Sequence, residues 1–189
     1  TLFVNGETTA PGVAFTKFSL NRDADDGPRS TDRVFYSIGG YTYSQEWLNN
    51  SWAMFSSNEN AIKFAKSVAS WKQLYKMDGF DLDWEYGQLT DIEAEAVYTF
   101  LVTLKALDPT ILISVEEGGF PQFSGAAAIK HAGSIGQLDK LINAVDYFNV
   151  MYYSNDLVDN SLAWVQKSWQ KDCSVWCALG TQIPSKKIV

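Results

Sequence analysis

The chain has 189 residues, 46% of them apolar and 14% aromatic, ample for one packed core. A formal net charge of −7 and a pI near 4.6 argue against nucleic acid, whose phosphates demand Lys and Arg, and suit a neutral partner such as a polysaccharide. No run of about 18 apolar residues occurs, so no membrane-spanning helix is expected.

Residues 1–4 and 13–20 read as strands, separated by turns at Asn5-Gly6 and Pro11-Gly12. Residues 21–33 are polar and Asp-rich, a loop, and residues 34–38 form a short buried strand ending at Gly39-Gly40. The aromatic stretch 43–55 reads as loop plus a short helix. Over 57–76 the apolar residues Ala61, Ile62, Phe64, Ala65, Val68, Trp71, Leu74 and Tyr75 recur at helical spacing, with Ser57 as the cap. This helix leads straight into an acidic strand. Residues 91–107 form a second such helix, closed by Asp108-Pro109. A strand at 111–116, a helix at 134–145, a strand at 147–153 and a helix at 158–171 follow, and Ile188-Val189 opens one more strand. Strands alternating with helices of this length build β-α-β units and a parallel sheet. No G-x-G-x-x-G loop follows any strand, which weakens a nucleotide-binding reading.

The chemistry concentrates in Asp78-Gly79-Phe80-Asp81-Leu82-Asp83-Trp84-Glu85, four acids in eight positions. Strict alternation marks an extended strand, with Asp81, Asp83 and Glu85 on one face and Phe80, Leu82 and Trp84 on the other. The apolar face is expected to pack on helices while the acids project into a common interior. Acids gathered at close range repel one another, so at least one pKa should rise and a proton should be shared. Chains usually keep such costs for chemistry.

This stretch, D-x-x-D-x-D-x-E, resembles the active-site strand of glycoside hydrolase family 18, the chitinase family. The resemblance implies an α/β fold, a (β/α)8 TIM-type barrel, with 1–189 a single catalytic domain. It also implies that Glu85 is the proton donor and that Asp83 and Asp81 assist it. Ser37-Ile38-Gly39-Gly40 is similar to the family's S-x-G-G at the end of the third barrel strand; Ser37 is expected to bond the inner acids, and Gly39 and Gly40 to make room. Phe148-Asn149-Val150-Met151-Tyr152-Tyr153 resembles the sixth strand, with Asn149, Met151 and Tyr153 inward. The resemblance puts Met151 beneath the sugar and the Tyr153 hydroxyl on its acetamide. Where the family has Asp or Asn after this tyrosine, Ser154 stands, followed by Asn155 and Asp156, and Asn155 is taken as the sugar contact. Trp84 and Tyr41 are the aromatic residues expected against substrate, and Asp78 is a structural anchor.

Two departures stand out. Glu116 and Glu117 end the fifth strand, where the family usually has small or apolar residues; a glutamate pointing into the cleft would alter substrate choice or the acid's pKa. A complete barrel needs ~250 residues typically. Counting the acidic strand as fourth, the chain is expected to stop inside the seventh, an incomplete barrel lacking the tryptophan-bearing eighth strand.

Ordinary retaining glycosidases set two carboxyls ~5–5.5 Å apart on opposite sides of the bond. Asp83 and Glu85, two apart on one strand, lie ~6–7 Å apart and reach the sugar from one side. The attacking group must come from elsewhere, and an N-acetyl sugar carries its own in the acetamide oxygen; the family is among the substrate-assisted exceptions. The expected partner is therefore chitin or a chitooligosaccharide, with no cofactor, no metal, no nucleic acid and no membrane. An endo-β-N-acetylglucosaminidase and a non-hydrolytic chitinase-like lectin are the alternatives; Glu85 argues against the lectin. Cys173 and Cys177 are two thiols or one local disulfide. No leader is read at Thr1-Leu2-Phe3-Val4, yet the sequon Asn49-Asn50-Ser51 and the resemblance favour a secreted protein.

Overall fold

The computed structural model describes residues 3–4, 7–8, 13–25, 27–40, 52–84, 89–117, 124–150 and 187. Two short strands, β1 (Phe3–Val4) and β2 (Glu7–Thr8), pair antiparallel. Helix α1 (Val13–Leu20) follows. The main sheet is parallel, in the order β3 (Phe35–Gly39), β4 (Gly79–Asp83), β5 (Leu112–Glu117) and β6 (Tyr147–Val150). Sequential neighbours throughout mean no reversal of strand order among the described strands. That is the winding of a barrel rather than of a doubly wound nucleotide-binding sheet.

Between the strands run a 3₁₀ turn (Trp52–Phe55), α2 (Asn58–Leu74), α3 (Asp91–Leu107), α4 (Ser124–Ser134) and α5 (Leu138–Ala144). Ser57 caps α2, its hydroxyl accepting from Asn60 N. Thr90 and Glu93 close a reciprocal capping box on α3. Both helices turn an apolar stripe onto the sheet, and Tyr36, Ile38, Phe80, Leu82, Ile113, Val115 and Phe148 meet them from the strands. At the centre Phe64 stacks on Phe100 with ring centroids 4.8 Å apart, and Phe80 meets Phe100 edge-on at 5.4 Å. Alternation along each strand then puts Ser37, Asp81, Ser114 and Asn149 on the opposite face, with the rings of Phe35 and Tyr147 beside them.

Two sequence readings are corrected. Val13–Leu20 is a helix, not a strand: eight residues with mixed apolar spacing satisfy either period, and the Ser19 hydroxyl bonds back to Thr16 O as helical serines do. The helix read at 134–145 begins later, at Leu138, and a separate helix, Ser124–Ser134, precedes it where no element was expected. Gly136, at φ +66°, ends α4 in a left-handed cap where Gln137 N donates to Ala132 O at 2.8 Å, and α5 starts afresh beyond it. The helix at 158–171, the strand at Ile188-Val189, and Cys173 and Cys177 lie outside the described residues. Among the described residues, no helix is long and apolar enough to cross a membrane.

Lys72 ties the end of α2 to the α3–β5 turn, donating to Asp108 Oδ2 at 2.9 Å and to Thr110 Oγ1. Thr110 N and Oγ1 donate to Asp108 Oδ1. Burial alone would raise the Asp108 carboxyl; its Thr110 and Lys72 partners outweigh that and hold it at about 2. Because the folded value lies below the ordinary 3.8, the stabilisation is present above 3.8 and lost as pH falls towards about 2. Asp108→Asn should therefore lower the melting temperature at neutral pH, and the gap from wild type should close in acid. A gap unchanged between pH 7 and pH ~2 would contradict this linkage.

Candidate active site

The polar face of the sheet carries the site. Strand register sets Ser37 opposite Asp81, Asp81 opposite Ser114, and Ser114 opposite Tyr147, so one row crosses four strands. Phe35, Ser37, Asp81, Ser114, Tyr147 and Asn149 line a cavity of about 410 Å³ on this face. Ser37 Oγ donates to Asp81 Oδ2 at 2.7 Å. Asp81 is only 9% exposed, and burial pushes its carboxyl up from the usual range against the pull of the Ser37, Ser114 and Glu116 side chains. A raised carboxyl holds its proton longer.

Asp83, the last residue of β4, is half-buried at the strand's C-terminal end, where barrel enzymes place their chemistry. Its carbonyl is clasped by the exit of β3. Gly40 N donates to Asp83 O at 2.7 Å, and Gly39 and Gly40 adopt φ of +126° and +85°. A Cβ on Gly39 would fall 1.8 Å from that carbonyl oxygen, so only glycine fits. A Cβ on Gly40 would lie 3.7 Å from Asp83 Oδ2, which places the carboxylate beside this turn.

Asp78 stands at the other end of β4. It accepts from Arg22 Nη2 at 2.7 Å, Val34 N at 2.8 Å and Arg33 Nη1 at 3.3 Å. Burial opposes its ionisation, yet these donors hold its carboxyl below the usual range. It anchors β3 to β4 and does not face the cavity lined by Asp81.

Trp84 does not stand where a substrate contact was expected. It is 5% exposed and belongs to the apolar cluster beneath the sheet, on the side of Phe80 and Leu82, as its place in the alternation dictates. Glu85, Tyr41, Met151, Tyr153 and Asn155 lie outside the described residues. Sequence reasoning passed over Phe35, Ser114 and Tyr147 as lining residues; the signal was available, since Phe35 and Ser37 alternate, as do Tyr147 and Asn149.

A parallel, sequentially wound sheet with a buried Asp81 and a half-buried Asp83 at the C-terminal end of its strand matches the layout of a barrel enzyme site. The model of the glycosyl hydrolases family 18 matches residues 16–189, and the chain belongs to that family. It is 27% identical to chitinase A1 of Niallia circulans over 157 residues, 78% of this chain and 21% of that protein. A crystal structure of a chitinase from Rhizomucor miehei superposes with a TM-score of 0.62 at 18% identity, covering 98% of this chain and 57% of that one. A Cycas revoluta family 18 chitinase solved with (GlcNAc)4 superposes with a TM-score of 0.55 at 17% identity, covering 83% and 48%. The fold is therefore α/β of the family's TIM-barrel type, and β3–β6 supply four neighbouring parallel strands of such a barrel among the described residues. The chain spans about a fifth of the length of that curated relative and roughly half of these solved ones.

Proposed function

We propose that this chain is a single secreted catalytic domain, residues 1–189, that hydrolyses β-1,4-linked N-acetylglucosamine polymers with retention. Family membership supports the reaction class. The observation that carries the reading is the buried Asp81, its proton affinity raised, held by Ser37 one strand-step below Asp83 on the cavity face.

Glu85, next on that face by alternation, gives its proton to the glycosidic oxygen as the bond from the anomeric carbon breaks. The acetamide oxygen of the same sugar bonds to that carbon from behind. Asp83 faces the acetamide N–H and balances the cyclic cation. Asp81 shares its proton with Asp83 and so sets how negative that partner is. Tyr153 donates to the acetamide oxygen, Met151 packs beneath the ring, Asn155 bonds a sugar hydroxyl, and Tyr41 belongs to the polymer cleft. Water then adds to the anomeric carbon, returns a proton to Glu85, and restores the original configuration.

The test is turnover of a chromogenic chitooligosaccharide beside a glycopeptide bearing an N-linked glycan. Release of chromophore supports the proposal. Cleavage of the glycopeptide alone would make the chain an endo-β-N-acetylglucosaminidase, and binding without cleavage would make it a lectin.

A further inference from the structure

We propose that Glu116 is a specificity-determining residue, whose carboxylate meets the ammonium of a glucosamine unit and so turns the site toward partly N-deacetylated chains. This rests on the proposed function and deepens it: the sugar that is cut must keep its acetamide, while a neighbouring sugar offers a free amine. Glu116 lies outside the motifs that carry the family resemblance, and it comes from β5, not from the acidic strand. Leu82 pairs with Val115, so one further step in register sets Glu116 beside Asp83 at the strand spacing of about 4.8 Å. Glu116 also pairs with Asn149, whose Nδ2 donates to Glu116 Oε1 at 3.0 Å and to Ser114 Oγ at 2.6 Å. Asn149 and Ser114 both line the cavity, so this amide holds the glutamate beside it.

Two carboxylates at strand spacing both attract a cation, whereas a neutral acetamide gains nothing from either charge. No Lys or Arg is among the described residues that line the cavity. Arg22 and Arg33 pair with Asp78, Lys72 with Asp108 and Lys105 with Asp146, all before or at the starts of β4, β5 and β6. Asp83 and Glu116 stand at the opposite, C-terminal ends. Asp81 gives an independent sign of the same demand. It is 9% exposed, it lines the cavity, and its Oδ1 accepts no hydrogen bond among the described residues. A buried carboxyl oxygen without a donor is costly, and positive charge brought up to the acids beside it lowers that cost.

An ammonium donates charge-assisted bonds to such carboxylates, stronger than the neutral bond of an acetamide N–H. Glutamine at 116 keeps the acceptor that Asn149 uses and removes only the charge. A change in preference in that variant therefore reads the charge rather than the fold.

The test uses the full chain and compares a fully N-acetylated hexasaccharide with counterparts that each carry one glucosamine unit. Reactions run at a pH where the amine is protonated, and mass spectrometry places the glucosamine relative to the cut. Wild type should cleave at least one counterpart with a higher kcat/KM than the parent. Glu116→Gln should lower that ratio of kcat/KM by about tenfold, whatever it does to the absolute rates. Salt at about 0.5 M should lower the ratio in wild type as well, a reading that needs no variant. A wild-type ratio at or below one for every counterpart would overturn the proposal, as would a ratio that the substitution leaves unchanged; cleavage of the parent would then leave the proposed function standing. If no hexasaccharide is cut, the proposed function fails, and calorimetry with the same sugars decides the contact. Tighter binding of a glucosamine-bearing chain by wild type, lost in the variant, supports it, and equal binding overturns it.

Discussion

Glu85→Gln should lower turnover of a chitooligosaccharide by about 10²–10⁴-fold while leaving circular dichroism and ligand affinity near those of wild type. Glutamine keeps the shape of the side chain and its bonding capacity but has no proton to give a departing oxygen. This residue is the proposed donor because in the sequence it is the third acid of the alternating run, two beyond Asp83. If Asp83 or Asp81 supplied the proton instead, removing Glu85 would cost little. Comparison of kcat for the variant and wild type, with binding checked by calorimetry, decides it. Near-normal kcat would defeat the assignment.

Gly39→Ala should have the largest effect on the fold, a loss of at least about 3 kcal/mol together with most of the activity. Three costs combine. The new methyl would sit 1.8 Å from Asp83 O, φ at +126° is denied to alanine, and the 2.7 Å bond from Gly40 N to Asp83 O would open. Backbone, not a flexible side chain, blocks the methyl, so the ends of β3 and β4 must separate. Urea unfolding would read the loss, and a variant as stable as wild type would show that this turn tolerates rearrangement. The two substitutions differ in kind: Glu85→Gln removes a proton, whereas Gly39→Ala moves the strand end that carries the neighbouring acid.

The acid row was legible because β4 alternates without exception. Phe80 and Leu82 could only face helices, so Asp81 and Asp83 could only face the interior, and the structure has them so. The same rule told against Trp84 as a sugar contact; it was expected there for its ring, but the period of two carries it into the core. Helices α2 and α3 were legible from long apolar stripes with Ser57 and Asp108-Pro109 as punctuation. Helix α1 was not, since eight residues give too few repeats to separate a period of two from 3.6. Helix α4 was passed over and the following helix was started too early, although an Ala-rich run closed by Gly136 carries a helix-ending signal. Ser114 carried no motif of its own, and Asn149 was read only as facing inward on the strand that resembles the sixth. Their role comes from register, which joins strands 30 or more residues apart and is invisible in any local pattern.

The central claim is that the acids approach the sugar from one side, so the substrate attacks itself. It is tested most directly by comparing turnover of a chitooligosaccharide glycoside with its counterpart whose acetamide methyl groups bear fluorine. Fluorine drains electron density from the amide oxygen, so turnover should fall by about 10²-fold or more if that oxygen is the nucleophile. Equal turnover of the two substrates would mean that a protein carboxylate makes the attack, and would contradict the account.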